Sequence, residues 1–194
     1  GRNRGGHVPF SFDIAPYLKS GANRITVRVE DRQDPYQPRG KQSSSGTPVR
    51  IYYYCTSGIW QNVWLEPVPA LRIDHLRILE SHPDGRLALT VHLHGPASDW
   101  EAELDVLDGL DSETVCAQAR AGSRGASLDL RTVVPDPQAW SPNAPHLYKL
   151  RVRLLHRGQP VDSVEAYAGL RSIELKDGFF HLNGKRTFLL MALD

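Results

Sequence analysis

Sulfur, charge bias and long apolar runs are what this chain has least of. Its 194 residues include two cysteines, Cys55 and Cys116, and one methionine. The cysteine spacing matches no metal or redox motif; one disulfide stays open, and two separate buried thiols are the expectation. Lys and Arg number 23 against 22 Asp and Glu, a net charge of +1 with the signs interspersed. That balance argues against a dedicated nucleic-acid or acidic-membrane surface, so neither partner is expected. No run of about 18 apolar residues occurs, so no membrane span is expected. The opening Gly1-Arg2-Asn3-Arg4-Gly5-Gly6-His7 has no initiator Met and no apolar leader, and reads as a cut inside a longer protein. Long helical periodicity is also scarce. Sixteen glycines and 14 prolines point instead to a turn-rich β protein.

What is present first is a run of alternating strands. Arg24 to Asp31 alternates cleanly, which predicts a strand with Ile25, Val27 and Val29 facing inward. Ile59 to Glu66 alternates too, and places Trp60 and Trp64 on one face, as core aromatics of a sandwich would be. Between them lies a polar stretch from Arg32 to Pro48, long enough that function or mobility is the usual reason for it. Asp31 and Asp34 sit near each other there, but nothing places their carboxylates face to face.

From about Ala70 to Leu170 the chain carries some seven short strand candidates separated by turn signals such as His82-Pro83-Asp84-Gly85 and Asp108-Gly109. Leu87, Leu89, Val91 and Leu93 alternate with Ala88, Thr90, His92 and His94. Trp100, Ala102, Leu104 and Val106 alternate with Glu101, Glu103 and Asp105, an acidic row expected on a solvated face. Tyr148, Leu150, Val152 and Leu154 alternate with Lys149, Arg151 and Arg153. Single-faced alternation at this density predicts an immunoglobulin-like β-sandwich. His92 and His94 share a strand face, yet no third ligand stands at a legible distance, so no metal or other cofactor is expected. Near the end, Asn183-Gly184 between apolar runs predicts a type I′ hairpin turn.

Four groups of residues, in order, resemble family 2 glycoside hydrolases, the β-galactosidase, β-glucuronidase and β-mannosidase group. They are Gly5-Gly6-His7 with Pro9-Phe10 and Phe12-Asp13-Ile14; Ser57-Gly58-Ile59-Trp60-Gln61 with Val63-Trp64-Leu65-Glu66; Trp140-Ser141-Pro142 with Pro145 and Leu147-Tyr148; and Gly178 with Leu182-Asn183-Gly184-Lys185. The resemblance implies an all-β chain in three parts. Residues 1–69 would be the C-terminal part of a sugar-binding (galactose-binding-like) jelly roll, and 70–171 an immunoglobulin-like sandwich. Residues 172–194 would be a junction hairpin into a (β/α)8 barrel lying outside this sequence.

It implies, further, hydrolysis of β-linked glycosides by a retaining mechanism. The two carboxylates that such chemistry needs about 5 Å apart would lie on the barrel, so no residue here is assigned a catalytic role. Carbohydrate would be the partner, reached through the absent domain, and a homo-oligomer stays open. Pro38-Arg39-Gly40-Lys41-Gln42 resembles a signature of one branch, which makes Arg39, Lys41 and Gln42 candidate sugar contacts. Galactosidase and glucuronidase relatives carry an Asp five residues before the Ser/Ala-Gly-Ile turn; Tyr52 stands there instead, able to stack and to donate one hydrogen bond but not to supply a negative charge. Trp60 is the last candidate contact. Leu190 stands where relatives usually have Arg, a departure at the entry to the barrel. The alternatives are a free-standing carbohydrate-binding pair of β domains and a surface adhesion module. A half jelly roll with open edges, ending in a hairpin, disfavours both.

Overall fold

The computed structural model describes residues 1–32, 34, 36–37, 40–43, 45–95 and 99–191. The chain divides into two compact units, Gly1–Glu66 and Pro67–Asp194. Regular structure among the described residues is all β apart from one turn of 3₁₀ helix at Ala15–Tyr17.

In the second unit, β1 (Arg72–Ser81), β2 (Arg86–His94) and β5 (Ser127–Val133) form one antiparallel sheet in the order β1-β2-β5. The facing sheet runs β4-β3-β6-β7, from β4 (Val115–Ser123), β3 (Trp100–Leu107), β6 (Tyr148–His156) and β7 (Gln159–Ala168). These are the seven strands expected of the immunoglobulin-like sandwich, with the fourth strand beside the third. Their inner faces are the alternating apolar rows read from the sequence. Leu87, Leu89 and Val91 of one sheet and Ala102, Leu104, Val106, Leu150, Val152 and Leu154 of the other are all buried. Trp100 is buried as well, and its indole N–H donates to the Gly125 carbonyl at 2.8 Å. That bond removes the cost of burying the one polar atom of the ring.

The outer face of the four-stranded sheet carries an alternating-sign ladder. Arg120 pairs with Glu101 and Glu103, and Arg153 pairs with Glu103 and Asp105. The expectation of a solvated acidic row fails at Asp105, which is 4 % exposed. Its carboxylate accepts from Gln118 Nε2 at 2.6 Å and lies 3.1 Å from Arg153. Cross-strand neighbours two rows wide cover it, which makes burial tolerable because the charge is paired.

Strand β1 is interrupted twice. Its register against β2 steps between Ile73 and His75 and again between Ile78 and Glu80, leaving Asp74 and Leu79 as the extra residues. Such bulges re-aim the side chains that follow. A third sheet, β10-β9-β8, closes the unit: β8 (Ile173–Lys176), β9 (Phe179–Leu182) and β10 (Lys185–Arg186). Asn183 and Gly184 both have positive φ (52° and 74°), the signature of the type I′ turn expected there. Asp177 and Gly178 repeat it at the preceding turn, with φ of 52° and 77°.

The first unit departs from the strand expectations. Arg24 to Asp31 forms no ladder, and Ile25, Val27 and Val29 are exposed rather than inward. Trp60 and Trp64 are exposed too, so they are not core aromatics here. The physical reason is that alternation only nominates a strand. Its N–H and C=O groups need a neighbouring strand to pair with, and no described segment of Gly1–Glu66 supplies one to Arg24–Asp31. The pairing that does form is short: isolated bridges join Gln42 to Tyr53 and Val49 to Tyr52. Both thiols are free, and each is half-buried rather than buried.

Candidate functional site

The five candidate sugar contacts fall into three situations, all in the first unit. Arg39 lies outside the described residues. Lys41, Gln42 and Tyr52 are brought to one place by the bridges just described. Tyr53 donates its N–H to the Lys41 carbonyl at 2.7 Å, Ser43 donates to the Tyr53 carbonyl at 2.8 Å, and a tight turn from Val49 to Tyr52 closes on itself. Arg50 takes a positive φ of 58° to make that turn. The Gln42 side-chain carbonyl accepts the Thr56 N–H at 3.3 Å, and the Cys55 thiol points at the Ser43 carbonyl. Ser43, between the two candidate donors, is buried.

Among the described residues, this local frame leaves distinct groups unused. The Gln42 amide N–H₂ is not used in the Thr56 bond. Lys41 is half-buried, and its backbone rather than its ammonium is spent in pairing. The Tyr52 ring is about half exposed, at 49 %. A donor amide, an ammonium and a phenol ring on adjoining backbone can together hydrogen-bond hydroxyls and stack on a ring. None supplies an anionic contact.

Trp60 belongs elsewhere in the unit. Its indole N–H donates to the Gly6 carbonyl at 2.6 Å, and the His7 ring meets it edge-on at 6.0 Å. The hydrogen bond fixes the ring, and 66 % exposure leaves its surface open. A ring so exposed has open area for stacking, while its polar handle is already spent. Asp31 and Asp34 are likewise occupied locally. Asp31 accepts from Ser57 Oγ at 2.8 Å, and Asp34 accepts the Tyr36 N–H at 2.9 Å. Neither forms a pair with the other.

In the second unit, the motifs that carry the family resemblance are spent on structure. Tyr148 opens β6 with its ring buried, and its hydroxyl accepts the Gln138 N–H at 2.8 Å. This is the tyrosine-corner arrangement of immunoglobulin-like sandwiches. Burial pushes the Tyr148 phenol above its ordinary value, so it stays a neutral hydroxyl. Trp140 donates its backbone N–H to the Leu170 carbonyl at 2.8 Å, and the Arg171 guanidinium sits 4.8 Å from its ring centre. Asn183 then ties in the terminal sheet. Its amide N–H₂ donates to the Trp140 carbonyl at 3.0 Å, while its carbonyl accepts the Ser172 N–H at 3.0 Å. The alternation at Tyr148 and the turn at Asn183 are legible in the sequence, whereas the hydrogen bonds that these residues make to Gln138, Trp140 and Ser172 are not.

Another arrangement was hidden in the register. The Asp74 bulge sets His75 directly opposite His92, and the two rings stack at 4.1 Å with 13° between their planes. His75 Nδ1 lies 2.8 Å from an Asp74 carboxylate oxygen. The hydrogen bond to His75 holds the Asp74 carboxyl below the usual carboxylate range. Among the described residues, no group of three or more His, Cys, Asp or Glu is placed to hold a metal ion. Nor is any helix among them long and apolar enough to cross a membrane.

Two sheets of three and four strands, a buried tryptophan on the third strand and a tyrosine corner on the sixth define an immunoglobulin-like β-sandwich protein. The family model for glycosyl hydrolases family 2 matches residues 71–171, just over half of the sequence. The chain belongs to that family. It is 31 % identical over 194 residues to a Formosa agariphila protein named "Putative beta-glucuronidase", covering 97 % of this chain and 22 % of that protein. A β-galactosidase of Thermoanaerobacter pseudethanolicus is 26 % identical over 195 residues, covering 95 % of this chain and 25 % of its own length. Among solved structures, a family 2 member from Bacteroides cellulosilyticus superposes with a TM-score of 0.56 at 20 % identity, over 70 % of this chain and 19 % of that one. At these identities the structural likeness speaks for the fold. The chain spans about a fifth to a quarter of the length of these curated relatives.

Proposed function

We propose that this chain is a non-catalytic, N-terminal part of a glycosidase that hydrolyses β-linked glycosides with retention. The carbohydrate would be cleaved by paired carboxylates of a barrel domain carried elsewhere in the same protein. Residues 1–69 would contribute part of a sugar-binding jelly roll, 70–171 the sandwich, and 172–194 the lead into the barrel. The observation that carries this reading is the Asn183 bridge. In a family 2 chain, it fastens the terminal hairpin to the sandwich, so that whatever follows the hairpin starts from a fixed position.

The chain's own residues would then support rather than perform the chemistry. Lys41, Gln42, Tyr52 and, beside them in sequence, Arg39 would offer donors and one ring to a substrate held mainly by the barrel, with Trp60 a separate stacking surface. A contact set of donors and rings without an anion suits sugar hydroxyls. It gives no reason to prefer an acidic sugar beyond the cations Arg39 and Lys41.

The test uses the protein encoded by the whole reading frame. Aryl β-glycosides should be hydrolysed, and proton NMR of the first-formed sugar should show the β anomer. An α anomer as first product, or no hydrolysis of any β-glycoside offered, overturns the assignment. Light scattering on the same preparation decides whether a homo-oligomer belongs to the account.

A further inference from the structure

The outer face of β1 and β2 holds a constellation that the glycosidase reading does not use. His75 and His92 are cross-strand partners with parallel rings 4.1 Å apart. Asp74 is the bulge residue that brings them opposite, and its carboxylate is hydrogen-bonded to His75 Nδ1 at 2.8 Å. An ionised carboxylate only accepts, so Nδ1 must carry the hydrogen. The neutral imidazole then presents its lone pair at Nε2. A histidine whose one nitrogen donates to a carboxylate while the other faces outward is the usual arrangement of a metal-binding imidazole. His94, two residues along β2, lies on the same face.

We propose that His75 and His92 form a two-imidazole site for a divalent first-row transition ion, with Asp74 orienting the His75 ring. Imidazole nitrogen suits zinc, copper and nickel over magnesium or calcium. A tetrahedral zinc with bonds of about 2.0–2.1 Å holds two nitrogens about 3.4 Å apart. The 4.1 Å between His75 and His92 is a ring-centre distance, and with 13° between the planes the in-plane lone pairs of the two rings run side by side instead of meeting. Meeting at one ion takes rotation of both rings out of the stack about Cα–Cβ and Cβ–Cγ, which His75, exposed, and His92, half-buried, have room to make, with exposed Asp74 able to follow His75. No three protein ligands converge among the described residues, so water or a further donor completes the shell. The site is open, and exchange of the ion with solvent follows from that.

Zinc chloride titrated calorimetrically into the untagged chain tests this. The proposal expects one saturable site of micromolar affinity. His75→Gln and His92→Gln should each weaken it by at least about tenfold, whereas His156→Gln, on the opposite sheet, should leave it unchanged. Wild-type protein that takes up no zinc saturably, or uptake indifferent to both substitutions, overturns the proposal. Should a variant misfold, the ring-proton NMR signals of the wild-type histidines decide it. Zinc must shift those of His75 and His92 and spare that of His146; the reverse pattern rejects the site.

Discussion

The side-chain amide of Asn183 donates to the backbone carbonyl of Trp140 at 3.0 Å, across 43 residues of chain. The same side chain accepts the Ser172 N–H at 3.0 Å, and its backbone N–H donates to the Ser172 carbonyl at 2.9 Å. One residue thus extends the β8–β9 pairing with its backbone and fastens that hairpin to the sandwich with its side chain. Asn is also among the few residues that tolerate its φ of 52°.

Replacing it shows how much the fastening matters. Asn183→Ala removes two partly buried side-chain hydrogen bonds and strains a left-handed position, and should cost about 2–4 kcal/mol of unfolding free energy. Asn183→Asp keeps the acceptor for Ser172 and loses the donor to Trp140, so it should fall between wild type and Ala. Urea denaturation followed by tryptophan fluorescence reads both.

Tyr148→Phe isolates the tyrosine corner. The ring still fills its buried place, but the Gln138 N–H loses its acceptor, at a cost of about 1–2 kcal/mol. A change below a few tenths would mean that the corner contributes packing alone. The same denaturation curves report it.

Gly85 is held by geometry rather than chemistry. Its φ is +95°, and a Cβ built there would lie 2.3 Å from the Val134 carbonyl oxygen. Gly85 itself accepts the Val134 N–H at 2.9 Å, so the backbone cannot withdraw without losing a bond. Gly85→Ala should therefore cost more than the fully buried Leu104→Ala would at its lower bound, about 2 kcal/mol. Thermal unfolding of the two variants side by side makes the comparison.

Acid sensitivity should trace partly to Glu113. The Arg151 hydrogen bond, at 2.8 Å, is the main cause holding its carboxyl below the ordinary value of 4.5, with Lys149 adding to it. A carboxyl lowered in the folded state favours folding above its unfolded value and ceases to do so as pH falls through the lower folded one. The stability gap between wild type and Glu113→Gln should thus be present near neutrality and close below about pH 4. Denaturation midpoints from pH 7 to pH 3 check the sign. A gap that widens on acidification contradicts it.

How much of this was readable beforehand depended on whether a residue's neighbours lie close by period or far away by register. Leu104, Val106, Val152 and Leu154 announced their burial because alternation along each strand needs no knowledge of its partner. Asn183-Gly184 announced its turn because only φ above zero was required. Asp105 did not announce its burial, since that depends on Gln118 and Arg153 arriving from two flanking strands. His75 facing His92 depends on a one-residue bulge, which no local pattern marks. In the first unit, Ile25, Val27 and Val29 carry a strand's alternation without a ladder. There the pattern was correct as composition and wrong as conformation, because pairing is not a local property. Of the candidate contacts, the sequence could group Lys41 and Gln42 by adjacency. It could not show that Tyr52 folds back to them through a turn at Arg50, nor that Trp60 spends its N–H on Gly6.

The central claim is that this chain supports bond cleavage and does not carry it out. The most direct measurement is the initial rate of nitrophenyl β-glycoside hydrolysis by residues 1–194, purified twice to remove contaminating glycosidases. The account predicts no turnover above buffer for glucuronide, galactoside or mannoside. Turnover that follows the chain through the second purification would contradict it and place the catalytic carboxylates within these residues.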